Sequence, residues 1–198
     1  MTIAKQPKER IKILLFENNL ADADHVGECL EQSNLNLEIL AVKSLADGLQ
    51  ALQAQTFDLI LLNLSLPESC GIATLQAVVD IIRDEVVIVL TGADDEELSL
   101  KALQQGAQDY LFKDCLSAEV LRRSIRSALG RANRLNRLEA QTRELQHNAE
   151  LLRQIFDANT DAMLILTQEY EINCLNPAAA ELLEAEAESL LGEIFPFE

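Results

Sequence analysis

The segment Phe57–Leu66, F-D-L-I-L-L-N-L-S-L, limits the possible folds more than any other stretch of the chain. Leu59-Ile60-Leu61-Leu62 is an unbroken apolar run that stops at Asn63, with Pro67 and Gly71 close behind. A short apolar run bounded by turn residues is the mark of a strand buried on both faces. Such strands lie in the middle of open parallel sheets, which bind ligands at the strand carboxyl ends. Asn63 stands at that end. The side chain there is an amide, not a carboxylate, and this decides what chemistry the site can support.

The neighbouring segments repeat one pattern. Ile11–Phe16 reads as a first strand, ending at Glu17-Asn18-Asn19, and Ala21–Glu31 has the helical spacing Ala23, Val26, Leu30. Leu35–Val42 reads as a second strand, and Ser44 caps a helix carrying Leu45, Leu49 and Leu52. The central strand is followed by a loop to Gly71 and a helix with Leu75, Val78, Val79 and Ile82. Glu85–Leu90 is a fourth strand before Thr91-Gly92, and Glu96–Gln104 is a helix that Gly106 terminates. Asp109–Phe112 is a fifth strand ending at Lys113, and Ser117 opens a last helix. Five alternations of strand and helix predict an α/β fold with a parallel sheet, helices on both faces and right-handed crossovers. Glu17, Asn18, Asn63, Thr91 and Lys113 all fall at strand carboxyl ends and should converge.

The 198 residues allow one full domain and part of a second. A hydrophobic content of 48% and a mean hydropathy of +0.05 suit a chain with a substantial core. No apolar run is long enough for a bilayer, and the start, M-T-I-A-K-Q-P-K-E-R, lacks the apolar stretch of a secretory signal. A cytoplasmic protein without a membrane partner is expected. Cys29, Cys70, Cys115 and Cys174 have no short pair spacing, and His25 and His147 lie far apart, so no metal site or disulfide framework is indicated. The net charge of −17 argues against nucleic acid as a partner. Arginines concentrate at Arg122, Arg123, Arg126, Arg131, Arg134, Arg137, Arg143 and Arg153, and no Lys or Arg follows, which marks separate modules.

The five-fold alternation, the acid after strand one, L-L-N-L-S-L-P-x-x-x-G, the L-T-G after strand four and the Y-L-F-K after strand five together resemble a two-component response-regulator receiver domain, over about residues 10–130. The resemblance implies a flavodoxin-like, doubly wound five-stranded sheet of order 2-1-3-4-5. It also implies roles for particular residues. The position of Asn63 is that of an aspartate that accepts a phosphoryl group. Glu17 and Asn18 match an acidic pair that holds magnesium. Thr91 and Lys113 match the hydroxyl and ammonium that contact the phosphoryl group, and Tyr110 matches an aromatic that switches rotamer.

Two of these positions depart from the family. The amide nitrogen of Asn63 has its lone pair delocalised into the carbonyl, so it cannot act as a carboxylate nucleophile. Asn18 offers an oxygen but no charge, whereas magnesium takes octahedral oxygen ligation with one or two carboxylates. The expectation is a pseudo-receiver, not an enzyme, with no cofactor and with weak or no magnesium binding. Lys113 should pair with Glu17 or donate to the Asn63 carbonyl. Asp114, not proline, follows Lys113, so that peptide should be trans.

The last helical pattern runs on past a receiver's length. Leu121, Ile125, Ala128, Ala132 and Leu135, then Leu138, Thr142, Leu145, Ala149, Leu152 and Phe156, form a heptad seam with a stammer between Leu135 and Leu138. At 1.5 Å per residue its roughly forty residues make a rod of about 60 Å, which predicts a parallel homodimer through a coiled-coil linker over residues 116–157. Beyond it, Met163–Leu166 and Glu171–Leu175 read as two strands joined by Thr167–Tyr170. Asn176 caps, and Pro177 starts, a helix through Leu183. Residues 155–192 resemble the start of a PAS sensor domain, so residues 158–198 are expected to be a truncated, partial α+β PAS-like segment.

The functional expectation is a signal-transduction module. Its silent receiver would serve docking and dimerisation, coupled by the linker to the PAS-like sensor, with a sensor kinase or other signalling protein as partner. One alternative is the N-terminal regulatory part of a larger signalling enzyme, a histidine kinase or a cyclic-dinucleotide enzyme. Another is a receiver that responds to phosphate through a different residue, such as Ser65.

Overall fold

The structure is a computed structural model that describes residues 10–92, 96–184 and 186–195. The N-terminal stretch 1–9, on which the reading of no secretory signal rests, lies outside the described residues. The chain divides into two compact units, Met1–Leu135 and Asn136–Glu198.

The first unit alternates β1 (Ile11–Phe16), α1 (Leu20–Gln32), β2 (Leu37–Val42), α2 (Leu45–Ala54), β3 (Leu59–Asn63), α3 (Ile72–Val79), β4 (Val86–Thr91), α4 (Glu96–Gln104) and β5 (Asp109–Phe112). Helix α5 (Ala118–Ala158) begins in this unit. The five strands form one parallel sheet in the order β2-β1-β3-β4-β5, the expected flavodoxin-like order. All five residues of β3 and all six of β4 are buried, as continuous apolar runs in a central strand should be.

Several strand boundaries differ from the sequence reading by one or two residues. β2 starts at Leu37, not Leu35, because Asn34 takes a left-handed turn with φ +57° before the strand begins. β4 starts at Val86 because Glu85 belongs to the preceding turn, its carboxylate accepting from the N–H groups of Arg83 and Asp84 at 2.8 and 3.2 Å. At its other end Thr91 pairs with Phe112 and is the last residue of β4, not the first of the loop.

Side chains alternate along each strand and build two cores. Ile13, Leu15, Leu59, Leu61, Ile88 and Leu90 pack with Val26, Cys29 and Leu30 of α1 and with Leu121, Ile125 and Ala128 of α5. The Cys29 thiol is pushed up, first by burial and then by the charge of Glu28. On the other face Leu14, Phe16, Ile60, Leu62, Val87 and Val89 pack with Leu75 and Val78 of α3, Ala102 of α4 and the apolar side of α2.

This packing corrects the seam reading of α5. Leu121, Ile125 and Ala128 are 0% exposed inside the first core, so they cannot also face a second helix. A 3–4 spacing is common to a helix packed on a sheet and to a coiled coil, and here the sheet takes the first turns. Leu138, Leu145 and Leu152 further along α5 are 55%, 70% and 68% exposed.

In the second unit, β6 (Leu164–Leu166) and β7 (Ile172–Leu175) form an antiparallel hairpin followed by α6 (Pro177–Leu182) and α7 (Ala187–Leu190). Among the described residues Ile172, Leu175 and Ala179 are its buried apolar ones, a small core. Asn176 is fully buried and organises the unit. Its Nδ2 donates to the carbonyls of Phe156, Asn159 and Asp161 at 3.2, 3.1 and 2.9 Å. Its Oδ1 accepts from the N–H groups of Met163 and Ala179, both at 2.9 Å, the second as the cap of α6.

Gly48 in α2 shows how closely helix and sheet approach. A Cβ at this position would lie 1.8 Å from the ring of the fully buried Phe16, whereas a Cβ on Gly27 in α1 would meet nothing within 4 Å. Alanine favours a helix over glycine by up to about 1 kcal/mol, while overpacking a core costs about 1–3 kcal/mol. Gly48→Ala should therefore lower urea stability, and Gly27→Ala should raise it.

Candidate functional site

Strand register brings the site together. Phe16 pairs with Leu62, Asn63 with Leu90, and Thr91 with Phe112. The residues that follow these strands, Glu17 and Lys113, therefore emerge at the same end as Asn63 and Thr91. Polar side chains become possible here because the apolar strands end and the loops begin.

The loop after β3 is tightly fastened. Gly71, at φ +65°, returns its N–H to the Leu64 carbonyl at 2.8 Å, and Ser65–Leu66 pairs with Ser69–Cys70. Thr74 Oγ1 donates to Ser69 Oγ at 2.9 Å, and Glu68 accepts from the Leu45 N–H at 2.9 Å, at the start of α2. The backbone around Asn63 is thus set by several independent contacts.

Asn63 is buried and uses both halves of its amide. Its Nδ2 donates to Glu17 Oε1 at 2.9 Å, to Asn18 Oδ1 at 3.3 Å and to the Ser65 carbonyl at 3.3 Å. Its Oδ1 accepts from the Ser65 N–H at 3.0 Å. Three acceptors face the NH2 group and one donor faces the carbonyl, which fixes the orientation of the amide. Reversing it would place an oxygen against the Glu17 carboxylate.

The Glu17 side chain is 0% exposed, and its two oxygens have different partners. Oε1 accepts from Asn63 Nδ2 and from the Asn19 N–H at 3.0 Å. Oε2 is 2.5 Å from Lys113 Nζ, a close ion pair that is not aligned as a hydrogen bond. Lys113 donates instead to Asp22 Oδ2 at 2.8 Å. A buried carboxylate is costly to desolvate unless paired and hydrogen-bonded, and here an ammonium, an amide and a backbone N–H together meet it.

Of the residues singled out in the sequence, Glu17, Asn18, Asn63 and Lys113 meet by direct contact or through Glu17. Thr91 is buried at the same sheet end, one residue beyond the partner of Asn63. Tyr110 is half-buried against the second core, with Phe112 edge-to-face at 5.5 Å. Lys113 opens a short 3-10 turn, Lys113–Cys115, and its peptide to Asp114 is trans as expected, since the described residues contain no cis bond. Ser65 contributes main-chain groups to Asn63, and its side chain is exposed.

Asp22 was not singled out from the sequence. It sits in the first turn of α1, where Asn19 already caps the helix through the Ala21 N–H. An acid in that turn reads as ordinary helix-end electrostatics. Only the fold reveals its partner, Lys113, ninety-one residues away.

The family resemblance implies magnesium at this site, and the donor set does not suit it. Among the described residues a single buried carboxylate, Glu17, faces the cluster, and an ammonium and an amide N–H already engage its oxygens. Asn18 Oδ1 is likewise turned to the Asn63 amide. Magnesium needs several oxygens in near-octahedral array, and it would compete here with donors the protein itself supplies.

Comparison with known proteins bears on the family and the fold. A family model for the response regulator receiver domain matches residues 13–126. The regulatory protein LuxO of Vibrio cholerae is 32% identical over 101 residues, covering 51% of this chain and 22% of that protein. The chemotaxis protein CheY of Treponema pallidum is 25% identical over 114 residues, covering 57% of this chain and 78% of that one. The signal receiver domain of a putative LuxO repressor from Vibrio parahaemolyticus has a similar structure. It is 27% identical, with a TM-score of 0.57, over 66% of this chain and 98% of that one. The match spans only about a fifth of the LuxO regulators' own length. Through residues 13–126, the chain belongs to the response regulator receiver domain family of two-component signalling.

Proposed function

We propose that this receiver is phosphorylation-silent and serves as a docking and dimerisation module. On this reading residues 10–130 are the receiver, the helix over 116–157 is the coupling element, and residues 158–198 are a PAS-like sensor segment. A sensor kinase or another signalling protein is the expected partner. The chain acts in regulation, not catalysis.

The observation that carries this reading is the amide of Asn63 seated among three acceptors. The residue at the phosphoacceptor position is a hydrogen-bond donor where the chemistry needs an anionic nucleophile. Glu17 and Asn18 remain from an acidic metal-binding pair, Thr91 and Lys113 from the phosphate contacts, and Tyr110 from the switch aromatic. The PAS-like reading draws support from the hairpin followed by an N-P-A-A helix start that Asn176 caps.

A second reading is the front end of a larger signalling enzyme; the match occupies 22% of LuxO, which supports a longer protein and does not bear on catalysis. A hydroxyl route through Ser65 is less favoured, because Ser65 is tied to the site through its main chain.

The two amides are defects of different kinds. Asn63→Asp supplies a nucleophile but sets a carboxylate against Glu17 and the Ser65 carbonyl, and leaves Nδ2's former partners unmet. That variant should lose about 1–3 kcal/mol of urea stability at neutral pH, the usual cost of unmet buried polar groups. Incubation with a small-molecule phosphodonor and magnesium, followed by intact mass, should find the parent unmodified and Asn63→Asp barely modified. Adding Asn18→Asp should restore more than the sum of the single changes, because it supplies the charge a metal needs. Ready, hydroxylamine-labile phosphorylation of the parent would refute the silent reading.

Dimerisation would use the exposed leucines of α5, spaced by seven at Leu138, Leu145 and Leu152. Leu145→Glu should place like charges across that seam in a parallel pair. Sedimentation should find the parent self-associated at tens of micromolar, roughly the range where marginal interfaces are lost, and Leu145→Glu dissociated. A monomeric parent at that concentration would rule out the seam.

A further inference from the structure

The silent-receiver reading leaves open why Lys113, the cation at the site, does not engage residue 63. The geometry points to Asp22. We infer that Asp22 is a positioning residue of the site, one that commits the Lys113 ammonium to the acidic side of the cleft and away from residue 63. This inference rests on the silent-receiver reading for its functional meaning, but its geometry stands apart from it.

Three observations support it. First, Lys113 has two carboxylate partners, Glu17 Oε2 at 2.5 Å and Asp22 Oδ2 at 2.8 Å, and of these only the Asp22 contact is aligned as a hydrogen bond. The direction of the ammonium is therefore set by Asp22, while Glu17 supplies proximity. Second, Asp22 is free for this task. Asn19 meets the cap requirement of α1, so the Asp22 carboxylate is not needed by the Ala21 N–H. Third, the Asn63 carbonyl oxygen takes its hydrogen bond from the Ser65 N–H, while the Lys113 ammonium is placed on Glu17 and Asp22.

Burial indicates which partner can be exchanged. The side chains of Glu17, Lys113 and Asp22 are 0%, 14% and 37% exposed, so the cluster runs from a fixed interior acid to an acid at the rim. Removing Glu17 would strand an ammonium and an amide in the interior. Removing the Asp22 charge opens only the solvent side of the cluster. Lys113 would keep its ion pair with Glu17 and gain freedom to turn toward the cleft mouth. A receiver of this kind would thus be held shut twice, by the amide at residue 63 and by the rim acid that aims its lysine.

The test is the reactivity of Lys113 in the full chain. Acetic anhydride acylates a free amine, and peptide mass mapping reads each lysine separately, with the exposed Lys43 as internal reference. Asp22→Asn should raise the Lys113 labelling rate several-fold relative to Lys43. Asp24→Asn makes the same charge change at an exposed position on the same helix and should leave Lys113 protected. Asp22→Glu should restore most of the protection. Unchanged Lys113 labelling in Asp22→Asn would overturn the inference and leave the silent-receiver reading intact. An equal rise in Asp24→Asn would also overturn it, since net charge alone would then be the cause. Phosphodonor treatment of the parent separates the two ideas from the other side. A phosphorylated parent with Lys113 still released only by Asp22→Asn would end the silent reading and keep the positioning role.

Discussion

One amide group holds the site together. The NH2 of Asn63 points at Glu17, Asn18 and the Ser65 carbonyl, three acceptors that would repel one another's lone pairs without a donor between them. In a buried setting such a group of acceptors needs positive charge or N–H donors. This chain provides the donors internally, from the Asn63 amide and the Asn19 backbone, and the charge from Lys113. The protein's own groups therefore meet the Glu17 carboxylate, Oε1 by hydrogen bonds and Oε2 by the charge of Lys113 alone. A change at residue 63 would alter not one hydrogen bond but the compensation of a buried carboxylate.

The sheet makes this arrangement possible. Consecutive registers bring Glu17 level with Asn63, Thr91 one residue beyond and Lys113 two beyond, so four polar ends meet at one end of the sheet, above two apolar cores. The rigid loop after β3, pinned by Gly71, Thr74 and Glu68, holds the Ser65 main chain where it can grip both atoms of the amide. Tight approach of α2 to Phe16 at Gly48 supports the strand that delivers Glu17. Core packing and site geometry are in this sense one problem. The strands that exclude water from Phe16 and Leu62 also aim the residues that follow them.

Much of this was legible in the sequence because short apolar runs and strand-end polar residues are local signals. The central run Leu59–Leu62, the caps at Ser44 and Asn176 and the convergence on Asn63 all follow from neighbours in the chain. The pairing of Lys113 with Glu17 was expected, but its second partner was not. Asp22 looks like an ordinary first-turn acid, and its meeting with a residue ninety-one positions away depends on the fold. Helix α5 misled for a related reason. Ile125 and Leu145 share one periodicity, yet the first is buried in the receiver core and the second is 70% exposed. Periodicity tells which face is apolar and not what covers it. The boundary of β4 shifted because the Glu85 carboxylate was spent on a turn, a tertiary choice that a propensity cannot convey.

The most direct test of this account observes the Asn63 amide itself. In a nitrogen-15 spectrum of the full chain, the two side-chain protons of Asn63, assigned by their loss in Asn63→Asp, should give a separated, slowly exchanging pair. That pair should stay in place as magnesium is raised through the millimolar range, because the amide and Lys113 already satisfy the acids. A saturable shift or broadening of the pair with magnesium would mean that a cation displaces the amide, and that the site is not closed by its own side chains.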